Sequence, residues 1–208
     1  MIEIINCGMV NCYLIRGKNG SILVDTGNPG DGERIYETVK DKQVKLILLT
    51  HGHIDHIGNT SYLKEKLHVP VAMHEADYRL SKDNTLGKCM ANTLIGKVVL
   101  TFSKPSFKKK AEPFEPDLFM EDKDDLRKYG VSAEVMALPG HTEGSIGVWT
   151  TNGVIVGDAM MNFIRPYGAR LYSDKDAARS SLDKIKSTEV LMIYPGHGKP
   201  IELNRFFK

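Results

Sequence analysis

One stretch constrains this chain more than any other. In "LILLTHGHIDHIGNT", residues 46 to 60, an apolar, strand-like run delivers His51, His53, Asp55 and His56 within six positions. Side chains two apart on a helix point away from each other, so these four cannot share one helix face. A tight loop can turn all four inward, with Gly52 and Gly58 relaxing its backbone. Imidazole nitrogen and carboxylate oxygen are borderline-to-hard donors suited to Zn²⁺, Fe²⁺ or Mn²⁺. A polar loop with locally satisfied histidines is the plainer alternative. Four ligand-type side chains crowded behind a buried strand argue against it.

Later in the chain the same device returns in single copies. His141 in "LPGHTEGS", Asp158 in "IVGDAM" and His197 in "YPGHG" each sit on a glycine-flanked loop after an apolar run. Any one alone is an ordinary loop residue; with the cluster they make five histidines and two aspartates. The intervening segments alternate between strand and helix patterns. "MIEIINC", "CYLIRG" and "GSILVDTG" read as strands, with "RGKNGS" as a hairpin turn. "DGERIYETVKDKQV" reads as a helix, "KLILLT" as a buried strand, and "NTSYLKEKLHV" as a helix capped by Asn59 or Thr60, followed by the strand "PVAMHEAD". "AEVMALPG", "SIGVWTTNG", "GVIVGDAM" and "EVLMIYPGHG" read as strands, with "DKDAARSSLDKIKST" as a helix. "SILVDTG" echoes "VIVGDAM", and "LILLTHGH" echoes "LMIYPGHG". This weak duplication predicts two β-sheet halves packed face to face with helices outside. Residues 76–120 fit neither half. They are read either as a tolerated insertion or as a lid, with a helix in "YRLSKDNTLGKCMANTLIGKVVLTF" and a surface loop in "SKPSFKKKAEPFEPD".

Composition narrows the partners. With 208 residues and a formal net charge of +2, nothing global calls for nucleic acid or an anionic membrane. The three cysteines, Cys7, Cys12 and Cys89, show no pairing pattern, which fits a reducing cytoplasm; Cys12 reads as a packed thiol in a buried strand. The first twenty residues lack a basic start and an unbroken apolar core, so no signal peptide is expected. No run approaches the ~20 apolar residues that span a bilayer.

"THGHIDH", "GHTEGS", "GD" and "GHG" in this order, with "VDTG" near the start, resemble the metallo-β-lactamase superfamily of hydrolases. The resemblance runs from about Cys12 to Lys199. It implies an α/β fold, one domain over 1–208, built as an αββα sandwich of two mixed sheets with a two-metal site along one edge. Carried over, it puts His51, His53 and His141 on the first metal, Asp55, His56 and His197 on the second, and Asp158 between them. Asp25 matches an acid that steadies the ligand loop. His68 reads as a helix-end residue, and His74 as a position the family fills with histidine outside the metal shell. Two divalent ions are expected, zinc first, with iron or manganese as alternatives.

Two such ions can share a water and lower its pKa toward neutrality, so that a bridging hydroxide attacks an electrophilic carbonyl or phosphorus. Asp55 is expected to steer that nucleophile. The formal charge of the loaded site, about +1, predicts a small anionic substrate. An ester-like bond, thioester or lactone, is the first expectation. The overall look is nearest to glyoxalase II. The glutathione-binding "GCGKF"-type segment is replaced by "GDAMMNFIRPYGARLYSD", however, and little chain follows His197 for a helical second domain. Antibiotic-hydrolysing members with a cysteine at the Asp158 position and the flavodiiron branch, with glutamate at the His53 position, fit less well. Lactonases keep the whole ligand set, and Tyr167 or Tyr172 could assist a leaving group. Nucleases of the superfamily would need a basic surface; Lys104, Lys108, Lys109 and Lys110 are the one candidate run, offset by the acids after it. A persulfide-dioxygenase-like enzyme with one iron is the non-hydrolytic alternative. A sensor that only keeps the fold is disfavoured by the intact ligand set. Arg165 and Arg170 are placed at the expected mouth, where they could hold an anionic group.

Overall fold

The computed structural model describes residues 1–87, 109–188 and 190–206, and between them the single positions 90, 91, 97 and 101. Two mixed sheets carry the fold. The first runs in order β1 (Ile2–Cys7), β2 (Val10–Arg16), β3 (Ser21–Val24), β4 (Val44–Leu48), β5 (Val71–Met73) and β6 (Leu118–Phe119). It is antiparallel through β3 and parallel beyond. The second contains β7 (Ala133–Ala137), β8 (Ile146–Thr150), β9 (Gly153–Asn162), β10 (Tyr167–Gly168), β11 (Met192–Gly198) and β12 (Ile201–Glu202). Its spatial order is β12-β11-β9-β8-β7, with β10 paired to β9.

Strand alternation sorts the apolar side chains into layers. Ile22, Val24, Leu46 and Leu48 face the second sheet and meet Val135, Ile146, Val148 and Ile155. Their neighbours Leu23, Ile47 and Leu49 face outward onto Ile35, Val39 and Leu63 of helices α1 (Gly32–Val39) and α3 (Thr60–Leu67). On the far side, Val154 and Val156 pack on Ile185 of helix α5 (Lys175–Lys186). β4 is buried on both faces at its C-terminal end, which is why "LILL" is an unbroken apolar run. At eight residues, α1 is too short to persist alone, so its stability comes from Ile35 and Val39 seated on the sheet. The αββα sandwich expected from the sequence is the observed fold.

Several local expectations need correction. α1 ends at Val39 because Lys42 N–H already turns back onto the Val39 carbonyl. "PVAMHEAD" is a strand only through Met73; His74 Nδ1 then accepts the Ala76 N–H and opens a 3₁₀ turn. Asn59 precedes α3 without capping it, since its amide donates to the Thr26 and Asn28 carbonyls instead. His68 caps α3 with its backbone N–H on Lys64 O and takes a left-handed conformation. In the 76–120 insertion, α4 (Tyr78–Lys82) stops at the extended Asp83, so the long helix does not begin as expected. Residues 88–89, 92–96, 98–100 and 102–108 of that stretch, with Cys89, Lys104 and Lys108, lie outside the described residues. Lys109 and Lys110 are exposed, and Lys110 pairs with Asp83. Cys7 and Cys12 are buried free thiols. Among the described residues no helix is long and apolar enough to cross a membrane.

Candidate metal centre

The cluster is split between two backbone conformations rather than held in one loop. His51 and His53 lie in the irregular stretch after β4, whereas Asp55 and His56 sit in the one-turn helix α2 (Ile54–Ile57) that His53 opens. Gly52 is required by proximity: a Cβ there would come 2.3 Å from Leu80 Cβ. His141 follows β7 on a loop, as expected. Asp158 and His197 depart from the expected loops and lie within β9 and β11. The pairing of those strands is irregular between Tyr194 and His197, and a break of this kind re-aims a strand side chain.

The seven side chains form three overlapping groups: His51, His53 and His141; His51, His56 and Asp158; and Asp55, His56 and His197, each with its candidate ligand atoms within 4.8 Å of one another. In the first, His53 Nδ1 lies 3.1 Å from His51 Nε2 and 2.8 Å from His141 Nε2. In the last, Asp55 Oδ2 lies 3.3 Å from His197 Nε2 and 4.0 Å from His56 Nε2. Asp158 stands between them, with Oδ1 3.3 Å from His56 Nε2 and Oδ2 3.4 Å from both His141 Nε2 and His197 Nε2.

Outer hydrogen bonds aim the imidazoles. His56 Nδ1 is 2.7 Å from Asp25 Oδ2, His141 Nδ1 is 2.7 Å from Leu171 O, and His197 Nδ1 is 2.6 Å from Met9 O. An Nδ1–H donated to each oxygen leaves Nε2 facing the centre. The Thr50 hydroxyl donates to Asp25 Oδ2 and lies 3.1 Å from His51 Nδ1. Asp25 therefore orients His56 directly and His51 through Thr50. It does so from a left-handed backbone conformation, φ 62°, which Asp tolerates better than most residues.

Two buried atoms, His56 Nε2 and Asp158 Oδ1, make no hydrogen bond although they face each other. Buried polar groups almost always find a partner, so an orphaned pair of metal-type donors fits a shared ion. Gly196 leaves room for this arrangement, since a Cβ on it would fall 2.3 Å from Asp158 Oδ1.

Electrostatics divide the centre. Burial and the neighbouring imidazoles push His51 well below the ordinary histidine value and His53 down to about 3. Burial acts in the same sense on His56 and His197. There the carboxylates of Asp158, Asp25 and Asp55 outweigh it, holding His56 well above its ordinary value and His197 up at about 10. For Asp158 and Asp55, burial is outweighed in turn by His197 and His56, which hold both carboxyls low.

Three supporting residues escaped the sequence reading. Asp77 is buried and accepts from Gly52 N–H, Gly144 N–H and the Thr142 hydroxyl, at 2.9, 2.9 and 2.7 Å. It thus ties the His51–His53 segment to the His141 loop. Burial raises its pKa, against the pull of those donors. Asn11 donates to the carbonyls of Pro195 and Gly198, and the Tyr13 hydroxyl donates to Pro195 as well, which fixes the strand end that carries His197. An acid in "HEAD" was the one visible hint of Asp77; nothing local marks Asn11 or Tyr13. Among the expected accessory residues, Arg170 stacks over the Tyr167 ring at 3.8 Å, Tyr172 is buried, and Arg165 is exposed.

The metallo-beta-lactamase superfamily model matches residues 5–197. The chain belongs to this superfamily. It is 27% identical to a probable metallo-hydrolase of Methanocaldococcus jannaschii over 91% of its own length and 87% of that protein's. An uncharacterized Aquifex aeolicus protein is 34% identical over 69% of the chain, which spans only 62% of that relative. The hydroxyacylglutathione hydrolase GloC of Haemophilus influenzae is 30% identical over 66% of the chain and 59% of its own length. Among solved structures, TTHA1623 in a di-iron-bound form superposes with a TM-score of 0.74 at 25% identity, covering 98% of this chain and 95% of that one. The BLEG-1 B3 metallo-beta-lactamase shares the fold, with a TM-score of 0.76 at 22% identity over 99% and 95% of the two chains.

Proposed function

We propose that this chain is a single-domain hydrolase that uses two divalent metal ions to cleave an ester-like bond, thioester or lactone, in a small anionic substrate. The observation that carries this reading is the pair of three-residue groups joined through Asp158, with its orphaned Oδ1 and the orphaned Nε2 of His56 turned toward each other. His51, His53 and His141 would hold one ion, Asp55, His56 and His197 the other, and Asp158 both. Ions held there would polarise the scissile carbonyl and lower the pKa of a water between them. The protein's own part is orientation and proton handling. Asp25, Leu171 O and Met9 O keep the imidazole tautomers fixed. Asp55 has the most exposed side chain of the seven at 28%, and so reaches the solvent side, where its carboxylate can accept a hydrogen bond from the attacking water and steer it.

Zinc is the proposed metal; the di-iron form of TTHA1623 keeps iron as the alternative. The likeness to GloC supports a thioester, and the unpatterned cysteines support a cytoplasmic setting. The test is metal content per chain together with turnover of a thioester and lactone panel. Two ions per chain and hydrolysis that Asp158→Ala and His51→Ala abolish are expected. Folded variants that hydrolyse at the wild-type rate would overturn the reading, and one iron with oxygen uptake would replace it by the oxygenase.

A further inference from the structure

We propose that the substrate carries an extended apolar arm, an acyl or alkyl chain, which lies on a ring of exposed apolar side chains around the metal centre; this rests on the hydrolase reading above. Nine large apolar side chains are exposed among the described residues; of these, Phe163 packs against a ligand-type histidine, and Met9, Leu86, Met90 and Ile164 are joined through the backbone to residues at or next to the site. Met9, 71% exposed, stands at the β1–β2 turn, and its carbonyl accepts His197 Nδ1. That turn is pinned, because Gly8 N–H donates to Asn6 Oδ1 at 3.0 Å. Phe163 lies with its ring centroid 5.7 Å from that of His197, and Ile164 beside it is 98% exposed. At the histidine group, exposed Leu86 precedes Gly87, where a Cβ would lie 3.2 Å from the His53 ring. Met90 pairs through its backbone with Tyr172, the residue after the Leu171 whose carbonyl holds His141.

The exposed apolar residues thus come from three separate chain segments: Met9 and Phe163–Ile164 both beside His197, and the stretch with Leu86 and Met90 near His53 and the support of His141. Isolated exposed apolar residues are ordinary on a protein surface, but their gathering around one polar centre marks a binding surface. A second protein copy laid over the ring would close the mouth on the metals. A substrate whose reacting carbonyl sits at the metals and whose chain runs outward uses both features together.

The experiment is calorimetric titration of the zinc-loaded protein with straight-chain carboxylates from acetate to decanoate, the products of such a cleavage, beside hydrolysis of the matching thioesters. Affinity should rise about two- to fourfold per added methylene through the middle of the series. The double variant Phe163→Ser with Ile164→Ser should flatten that rise, while Leu191→Ser, an exposed apolar position outside the ring, should preserve it. All three changes are at exposed positions, so folding is checked by a thermal melt rather than feared. A flat series in the wild type, or a slope that survives the double variant, overturns the proposal. Dimerisation in sedimentation that the double variant abolishes, with no chain-length slope, would assign the ring to a second copy and overturn it too. A slope in binding without hydrolysis of any ester would leave the apolar arm standing and sink the hydrolase reading instead.

Discussion

The two ligand groups that meet at Asp158 are built from different material. The first is all histidine and buried, and burial with the neighbouring imidazoles pushes His51 and His53 below the ordinary histidine value. The second mixes a carboxylate with two histidines, opens to solvent at Asp55, and holds its imidazoles high through nearby carboxylates. The first is a closed anchor. On the second, a proton competes with an ion for the same Nε2, and solvent can reach the site. One centre thereby combines a buried, all-histidine half with a mixed half that opens to solvent at Asp55.

The hardest break is at the junction. Gly196→Ala would drive a methyl into Asp158 Oδ1, so loss of both ions and a fall in kcat/KM of more than about a hundredfold are expected, read by elemental analysis and turnover. Two ions retained at wild-type affinity would show that the halves do not depend on this junction. Asp25→Asn should come next. Asp25 serves His56 directly and His51 through Thr50, so both affinities should drop by about ten- to a hundredfold in a competitive chelator titration. Asp77→Asn sharpens the contrast, because its partners, Gly52, Thr142 and Gly144, flank only the histidine group. It should weaken the first ion by about tenfold and leave the second unchanged. Equal weakening of both would erase the distinction.

The smallest effect lies away from both halves. Lys184 of α5 bonds Asp122 Oδ1 at 2.6 Å, and that carboxyl also accepts Ala137 N–H. Burial opposes, but these partners depress the Asp122 pKa. Its contribution is therefore complete above the unfolded carboxylate range and is lost as pH falls through the lower folded value. Asp122→Asn should cost about 0.5 kcal/mol at neutral pH, less in acid, with metal content unchanged; a denaturant titration at both pH values decides it.

Much of the centre could be read before any coordinates. "THGHIDH" is legible because four ligand-type residues are contiguous, and His141, Asp158 and His197 become legible only once a family pattern links them. Their supports were not, for a physical reason. Asp77, Asn11, Tyr13 and the carbonyls of Met9 and Leu171 act across long sequence separations, and carbonyl acceptors carry no residue signature at all. Gly52 was read as a flexible loop residue, yet its need comes from Leu80, twenty-eight positions away.

By itself, the sequence determined the layered class, through the periods of its apolar runs, and the chemistry of the donors, through the residue types placed behind them. Local pattern and side-chain identity suffice for both. The tertiary structure alone decided that Asp158 and His197 lie within strands, that Asp25 reaches both ligand groups, and that Phe163 packs on the His197 ring. Those facts are distances between remote segments, set when the two sheets close on one core.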